Sequence, residues 1–249
     1  MGAKPRAYTV AAALPQDIDE AWIASFAETL GREQAQFGIC LVGGDTVSTP
    51  GPLSLTVTAI GTVSRTEALH RTGAHPGDHI WVSGTIGDAF VGLQAVLGAN
   101  PCLDDVDATF VSERYHRPTP RLSLGMALVG VANAAADVSD GLIADLGHIC
   151  GASELGAVIE IDAIPLSQAA RNAMTLSPVL TLDALIRGGD DYELVFTAPA
   201  DCDDAVLLAA QRSSTPVTLI GHMTQGNAGV IVDQKGQTLN RETSGYRHF

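Results

Sequence analysis

Apolar residues along the chain recur with two different periods. Ile18, Trp22, Phe26 and Leu30 follow at four-residue spacing, which sets them along one stripe of a helix and marks them as core. Asp17 with Glu20 three residues later is an N-cap signature, so the pattern predicts a helix from Asp17 to about Leu30. Ahead of it, Tyr8 to Leu14 reads as a strand that Pro15 stops. Behind it, Ile39 to Val42 is a short apolar strand ending in Gly43-Gly44. Leu53 to Val63 then alternates Leu53, Leu55, Val57 and Ala59 against Ser54, Thr56 and Thr58. A period of two predicts a strand with one dry and one polar face.

Turn chemistry gathers between Ser64 and Asp78, where Arg71, Gly73, Pro76 and Gly77 fall together. A domain boundary is placed there, giving an N-terminal part over residues 1–64 and a C-terminal part over residues 65–249. Beyond the boundary the pattern predicts strand His79 to Val82, helix Gly87 to Leu97, helix Arg121 to Asn133 and an apolar strand ending near Asp137. A helix from Asp140 to Cys150 and a strand Ala157 to Ile161 come next. Two further helical stretches precede strand Tyr192 to Phe196, helix Asp203 to Arg212, and strands Val217 to Ile220 and Gly229 to Val232. Alternating helices and strands imply an α/β or α+β fold.

Composition narrows the function classes. Of 249 residues, 46% are hydrophobic and 17% charged, as in a globular protein with one large or two modest cores. No stretch approaches the roughly 20 uncharged apolar residues that cross a bilayer, and the first ten residues lead into a strand rather than a signal region. A soluble, cytoplasmic protein is expected, with no membrane partner. The net charge of −14 argues against nucleic acid, whose affinity rests on clustered Lys and Arg. It does not argue against a small polyphosphate, provided that carboxylates hold divalent cations. The four cysteines are far apart, with no Cys-x-x-Cys pair, and are expected to be reduced thiols.

Three acidic motifs are candidates for such a site. Gly43-Gly44-Asp45-Thr46 follows a buried strand; its glycines permit a sharp turn and close approach, with Asp45 at the rim as an oxygen ligand suited to Mg²⁺. A plain turn capped by Asp45 fits the same residues. Asp137-Val138-Ser139-Asp140-Gly141-Leu142 puts two carboxylates and a hydroxyl at a helix start, where free N–H groups favour anionic oxygens. An ordinary capped helix explains Ser139 and Asp140 but leaves Asp137 unexplained. Gly188-Gly189-Asp190-Asp191-Tyr192-Glu193-Leu194 crowds three acids into four residues, a repulsion that solvent or cations must relieve. Arg71 and Arg121 are candidate phosphate-facing cations, or surface arginines. Ser83-Gly84-Thr85-Ile86-Gly87-Asp88 lacks the Lys-Ser/Thr ending of a Walker A loop. No zinc spacing and no Gly-x-Ser-x-Gly elbow is present.

In this order the motifs resemble the thiamine-monophosphate kinase family, a branch of the aminoimidazole-ribotide-synthetase-like superfamily. The resemblance extends over nearly the whole chain. Besides the three acidic motifs it rests on Arg71-Thr72-Gly73-Ala74, Pro76-Gly77-Asp78, Val82-Ser83-Gly84 with Gly87, Arg117-Pro118 through Arg121, and Gly245-Tyr246-Arg247-His248-Phe249. It implies a two-domain PurM-like fold dimerising through the N-terminal domains, with ATP and several Mg²⁺ ions between the two parts. By motif position it implies Asp45, Asp137 and Asp140 as metal ligands. It further implies Gly44, Asp45, Arg71 and Ser139 at ATP, and Asp190 and Tyr246 at thiamine phosphate. Asp190 stands where many relatives carry Glu.

In relatives, the position of Met1 lies inside the N-terminal domain, after a segment with an Asp-Asp pair and further metal and substrate ligands. The N-terminal domain is therefore expected to be incomplete, and residues 1–249 alone are expected to bind ATP weakly and turn over little. The expected chemistry is in-line transfer of the γ-phosphoryl group of ATP to thiamine monophosphate. An inactive nucleotide-binding fragment and a related ATP-dependent synthetase are the alternatives.

Overall fold

The computed structural model describes residues 1–99, 103–226, 229–234 and 237–240. The chain divides into a small unit, Ala3–Thr66, and a large unit formed by Met1–Gly2 with Glu67–Phe249.

In the small unit β1 (Lys4–Leu14), α1 (Glu20–Phe37) and β2 (Cys40–Ser48) form a βαβ crossover with β1 and β2 parallel. β3 (Ser54–Thr62) pairs antiparallel with the other edge of β1, giving the order β2-β1-β3. Helix α1 is capped by Asp19, whose carboxylate accepts from the Trp22 N–H at 2.8 Å, not by Asp17. It also runs seven residues past Leu30, to Phe37, and ends at Gly38 in the left-handed region, φ 61°. The internal Gly31 costs only about 1 kcal/mol relative to alanine, too little to break a helix with a proper cap at each end.

Trp22 stacks on Phe26 with ring centroids 5.2 Å apart, yet the Ile18–Leu30 stripe is only half-buried and no residue of α1 is buried. The expectation of a core stripe is corrected on this point. In the small unit only Tyr8 and Ala12, on the central strand, are buried. Every residue of β2 and β3 is exposed, so the alternation in β3 has a polar face but no dry one.

The large unit is built on a seven-stranded sheet of order β10-β9-β6-β8-β4-β7-β5. Its strands are β4 (His79–Ser83), β5 (Ala134–Asp137), β6 (Gly156–Glu160), β7 (Leu194–Ala198), β8 (Val217–Thr224), β9 (Val230–Gln234) and β10 (Gln237–Asn240). Pairing is antiparallel except between β6 and β9. The helices are α2 (Asp88–Val96), α3 (Asp105–His116), α4 (Leu122–Ala127), α5 (Leu142–Ser153), α6 (Gln168–Leu176), α7 (Leu182–Arg187) and α8 (Asp203–Ser213).

Period-two alternation sorts the strand side chains into two cores. Ile80, Val82, Ala134, Ala136 and Val195 pack with Leu142, Ile143, Leu146 and Ile149 of α5. Trp81, Ala135, Leu194 and Phe196 pack with Leu124 and Leu128 beside α4 and with Val206 and Ala209 of α8. Both sheet faces are thus covered, as an apolar run such as Ala134-Ala135-Ala136 requires. A third cluster joins α2, α3 and α6 through Val91, Val111, Ala170 and Ala173.

Candidate active site

The antiparallel pairing of β5 with β7 sets Asp137 opposite Leu194, so the residues after Asp137 must run beside the residues before Leu194. The pairing continues past the sheet in this way. The Val138 N–H donates to the Glu193 carbonyl at 2.8 Å, the Tyr192 N–H to the Val138 carbonyl at 2.8 Å, and the Asp190 N–H to the Ser139 carbonyl at 3.0 Å. Two acidic motifs fifty residues apart in sequence are thereby zipped into one rim carrying half-buried Asp137, Ser139, Asp140 and Asp190.

Glycine is required in this zipper at Gly189, because a Cβ there would lie 2.2 Å from the Ser139 carbonyl oxygen. Asp190 and Tyr192 are held at φ 71° and 49°, a left-handed conformation that costs a side-chain-bearing residue roughly 1–2 kcal/mol. Strain of this kind persists only where the surroundings over-determine it. The Tyr192 hydroxyl lies 3.4 Å from Asp190 Oδ1.

The helix after the first motif begins at Leu142 with Gly141 as its cap residue, and no side chain caps it. The expected start at Asp140, with Ser139 or Asp140 as cap, is corrected. Asp145, one turn into α5, reaches back instead: its Oδ2 accepts from the N–H groups of both Ser139 and Asp140 at 2.9 Å. These bonds fix the backbone while leaving the Ser139 and Asp140 side chains for other work. Asp145 is fully buried and its second oxygen, Oδ1, has no hydrogen-bond partner. Burial raises its pKa, and the carboxylates of Asp140 and Asp137 add to the rise against the two backbone bonds.

Ligand atoms of Asp140, Asp145 and His148 lie within 4.8 Å of one another. Two carboxylates, one with a buried oxygen that has no hydrogen-bond partner, and the His148 imidazole make a donor set that fits a divalent cation.

Beneath the second motif lies a buried ionic network that sequence reasoning missed. Glu193, fully buried, accepts from Ser83 Oγ at 2.6 Å, from Arg121 Nε at 2.7 Å and Nη2 at 2.5 Å, and from Arg114 Nη2 at 2.9 Å. Asp191, also fully buried, accepts from the N–H groups of Gly87 at 2.7 Å and Ala89 at 3.1 Å. Asp88 accepts from the hydroxyls of Thr85 and Ser167 and lies 3.8 Å from Arg114 Nε. Burial pushes the Asp191 carboxyl up to about 7, with the two backbone bonds opposing, and burial likewise raises Asp88. Arg121 is committed to Glu193 as a bidentate partner, not presented as a surface or phosphate-facing cation. The signal for the network was the acid crowding of residues 190–193 together with the glycine loop at Ser83–Asp88.

The remaining sequence-derived candidates lie elsewhere. Arg71 is exposed in the large unit, and its carbonyl accepts from Ser153 Oγ at 3.3 Å. Gly44 and Asp45 belong to the small unit and are exposed, but β2 runs through them to Ser48 rather than ending at the glycine pair. Gly44 is needed for close strand approach, since a Cβ would fall 1.9 Å from the Val10 carbonyl oxygen. Asp45 Oδ1 accepts from the Thr46 N–H at 2.9 Å. Tyr246 lies outside the described residues.

Residues 75–234 match the C-terminal domain of AIR synthase related proteins and residues 1–63 match their N-terminal domain. The thiamine-monophosphate kinase of Escherichia coli K12 is 41% identical over 249 residues, which cover all of this chain and 75% of that protein. The chain belongs to the thiamine-monophosphate kinase family. A crystal structure of the thiamine-monophosphate kinase from Stenotrophomonas maltophilia K279a superimposes with a TM-score of 0.85 at 45% identity, covering 95% of this chain and 74% of the other. A structure of AaThiL complexed with AMPPCP and TMP gives a TM-score of 0.84 at 27% identity, covering all of this chain and 75% of the other. The α/β architecture is therefore that of thiamine-monophosphate kinases. Among the described residues no helix is long and apolar enough to cross a membrane.

Proposed function

We propose that this protein transfers the γ-phosphoryl group of ATP to thiamine monophosphate, giving thiamine diphosphate and ADP. The observation that carries the reading is the whole-chain similarity to thiamine-monophosphate kinases, joined to a relative of the same fold that binds AMPPCP and TMP. The zipped rim of Asp137, Ser139, Asp140 and Asp190 is its chemical counterpart in this chain.

Phosphoryl transfer needs positioning and charge stabilisation more than covalent help from the protein. Asp137 and Asp140 of the large unit would hold Mg²⁺, and so would Asp45 of the small unit; when bound, the ion would neutralise polyphosphate charge. Asp145 fixes the backbone that aims Ser139 and Asp140. Gly44, Arg71 and Ser139 contact ATP. Asp190 and Tyr246 contact thiamine phosphate, and the anionic carboxylate of Asp190 suits the cationic ring of that substrate. Residues 1–64 serve as the ATP-binding and dimerising part and residues 65–249 as the PurM-like part of a cytoplasmic homodimer.

Incubating the full-length form of the protein with ATP, Mg²⁺ and thiamine monophosphate tests the reading. ADP and thiamine diphosphate should appear in equal amounts. Release of ADP without thiamine diphosphate contradicts it.

A further inference from the structure

Asp190 is flanked by residues that point the other way. Asp191 and Glu193 turn into the buried network, whereas Asp190 is half-buried and Tyr192 exposed, both at positive φ. The alternation is set by side-chain bonds on one side and main-chain bonds on the other. The Asp191 carboxylate takes the N–H groups of Gly87 and Ala89 at the start of α2, and the Asp191 carbonyl accepts from Arg114 Nη2 at 3.3 Å. Opposite, the N–H groups of Asp190 and Tyr192 are tied to Ser139 and Val138.

A single segment is thus gripped between α2 and the 137–141 loop, and the left-handed turn at Asp190 is what reconciles the two grips. We infer that Asp191 is a positioning residue, whose bonds to the α2 N-terminus fix the backbone that presents the Asp190 carboxylate to the substrate. The inference rests on the reading of Asp190 as a thiamine phosphate contact. It adds that the acceptor substrate is held from the α2 side of the fold, through a group that never touches it. Asparagine at 191 keeps the volume and one acceptor oxygen, but its amide nitrogen cannot accept the second backbone N–H. That leaves one buried donor unpaired and the turn free to relax.

The test compares Asp191→Asn, Asp190→Asn and the double variant with the unaltered protein. Steady-state kinetics are measured for each substrate, and amide hydrogen exchange is read at residues 190 and 192. Misplacement of a substrate contact by about 1 Å can cost on the order of 10²-fold. Asp191→Asn should therefore lower kcat/KM for thiamine monophosphate by up to about 10²-fold and leave KM for ATP unchanged. Exchange at the 190 and 192 amides should quicken while exchange in β7 does not, and the double variant should be no worse than Asp190→Asn, since one residue acts through the other.

Unchanged exchange at 190 and 192 in Asp191→Asn overturns the inference outright. So do losses that add in the double variant, or an equal rise in both KM values, each of which marks a merely structural acid. If Asp190→Asn itself leaves KM for thiamine monophosphate unchanged, the substrate reading of Asp190 fails instead. The exchange result then still decides whether Asp191 holds the turn.

Discussion

Replacing Glu193 with alanine removes a carboxylate that both Arg114 and Arg121 hold. Their side chains are 12% and 20% exposed and that of Glu193 is not exposed at all, so water can only partly replace the lost partner. Removing one member of a buried pair costs about 3–5 kcal/mol, because a charge is left desolvated and uncompensated. Here Asp88, 3.8 Å from Arg114, takes up part of one guanidinium's charge and draws the value toward the lower end. The buried Ser83 hydroxyl loses its acceptor as well. For a domain of this size each kcal/mol moves the melting temperature by roughly 2–4 °C. The variant should therefore melt roughly 6–20 °C lower at neutral pH, with an unchanged urea m-value. Glu193→Gln, which keeps the volume and one acceptor, should lose less. A Glu193→Ala shift below about 1 kcal/mol would refute the argument, since that is the value of a solvent-screened surface pair.

The metal reading predicts that Asp137→Asn and Asp140→Asn each lower turnover by about 10²-fold or more while circular dichroism stays unchanged; near-normal turnover in both would remove these residues from the site. Asp145→Ala should weaken the Mg²⁺ dependence of activity by about 10- to 100-fold through the loss of its support for Ser139 and Asp140, read as a shift in the Mg²⁺ titration. Gly189→Ala should part the two acidic loops, so turnover falls and exchange at the Asp190 amide rises; normal kinetics would mean the loops tolerate separation. The Asp191 carboxyl is raised from 3.8 to about 7 in the folded protein, so between those values the folded state holds the extra proton. Stability must then fall as pH rises from about 4 to about 7, by up to about 4 kcal/mol, and Asp191→Asn should flatten that slope in urea unfolding at a series of pH values.

What could be read from the sequence follows the range of the forces involved. Strands such as His79 to Val82 and the apolar stripe of α5 were visible because alternation and helical spacing are local signals. Helix α3 was not anticipated: Val111 is the one residue of it that is buried, so it carries almost no apolar stripe, and its start rests on the Asp104 cap. Strand β2 runs through its glycine pair because β1 supplies pairing partners as far as Ser48, which no turn propensity reveals. The acidic motifs were legible as motifs, but their joining was not. It depends on the register of β5 against β7, and the relief of the acid crowding comes from Arg114 and Arg121, 79 and 72 residues away from Glu193. The role of Asp145 was hidden for a related reason, since an acid one turn inside an apolar helix shows its use only when the preceding loop folds back over it.

Direct transfer between two bound substrates leaves a distinct signature in the fate of the γ-phosphate. Supplying ATP labelled in its γ-phosphate together with thiamine monophosphate and Mg²⁺ tests it most directly. The label should appear in the terminal phosphate of thiamine diphosphate, in step with ADP and with no labelled free phosphate preceding it. Label found in free phosphate while thiamine monophosphate remains unconverted would contradict it.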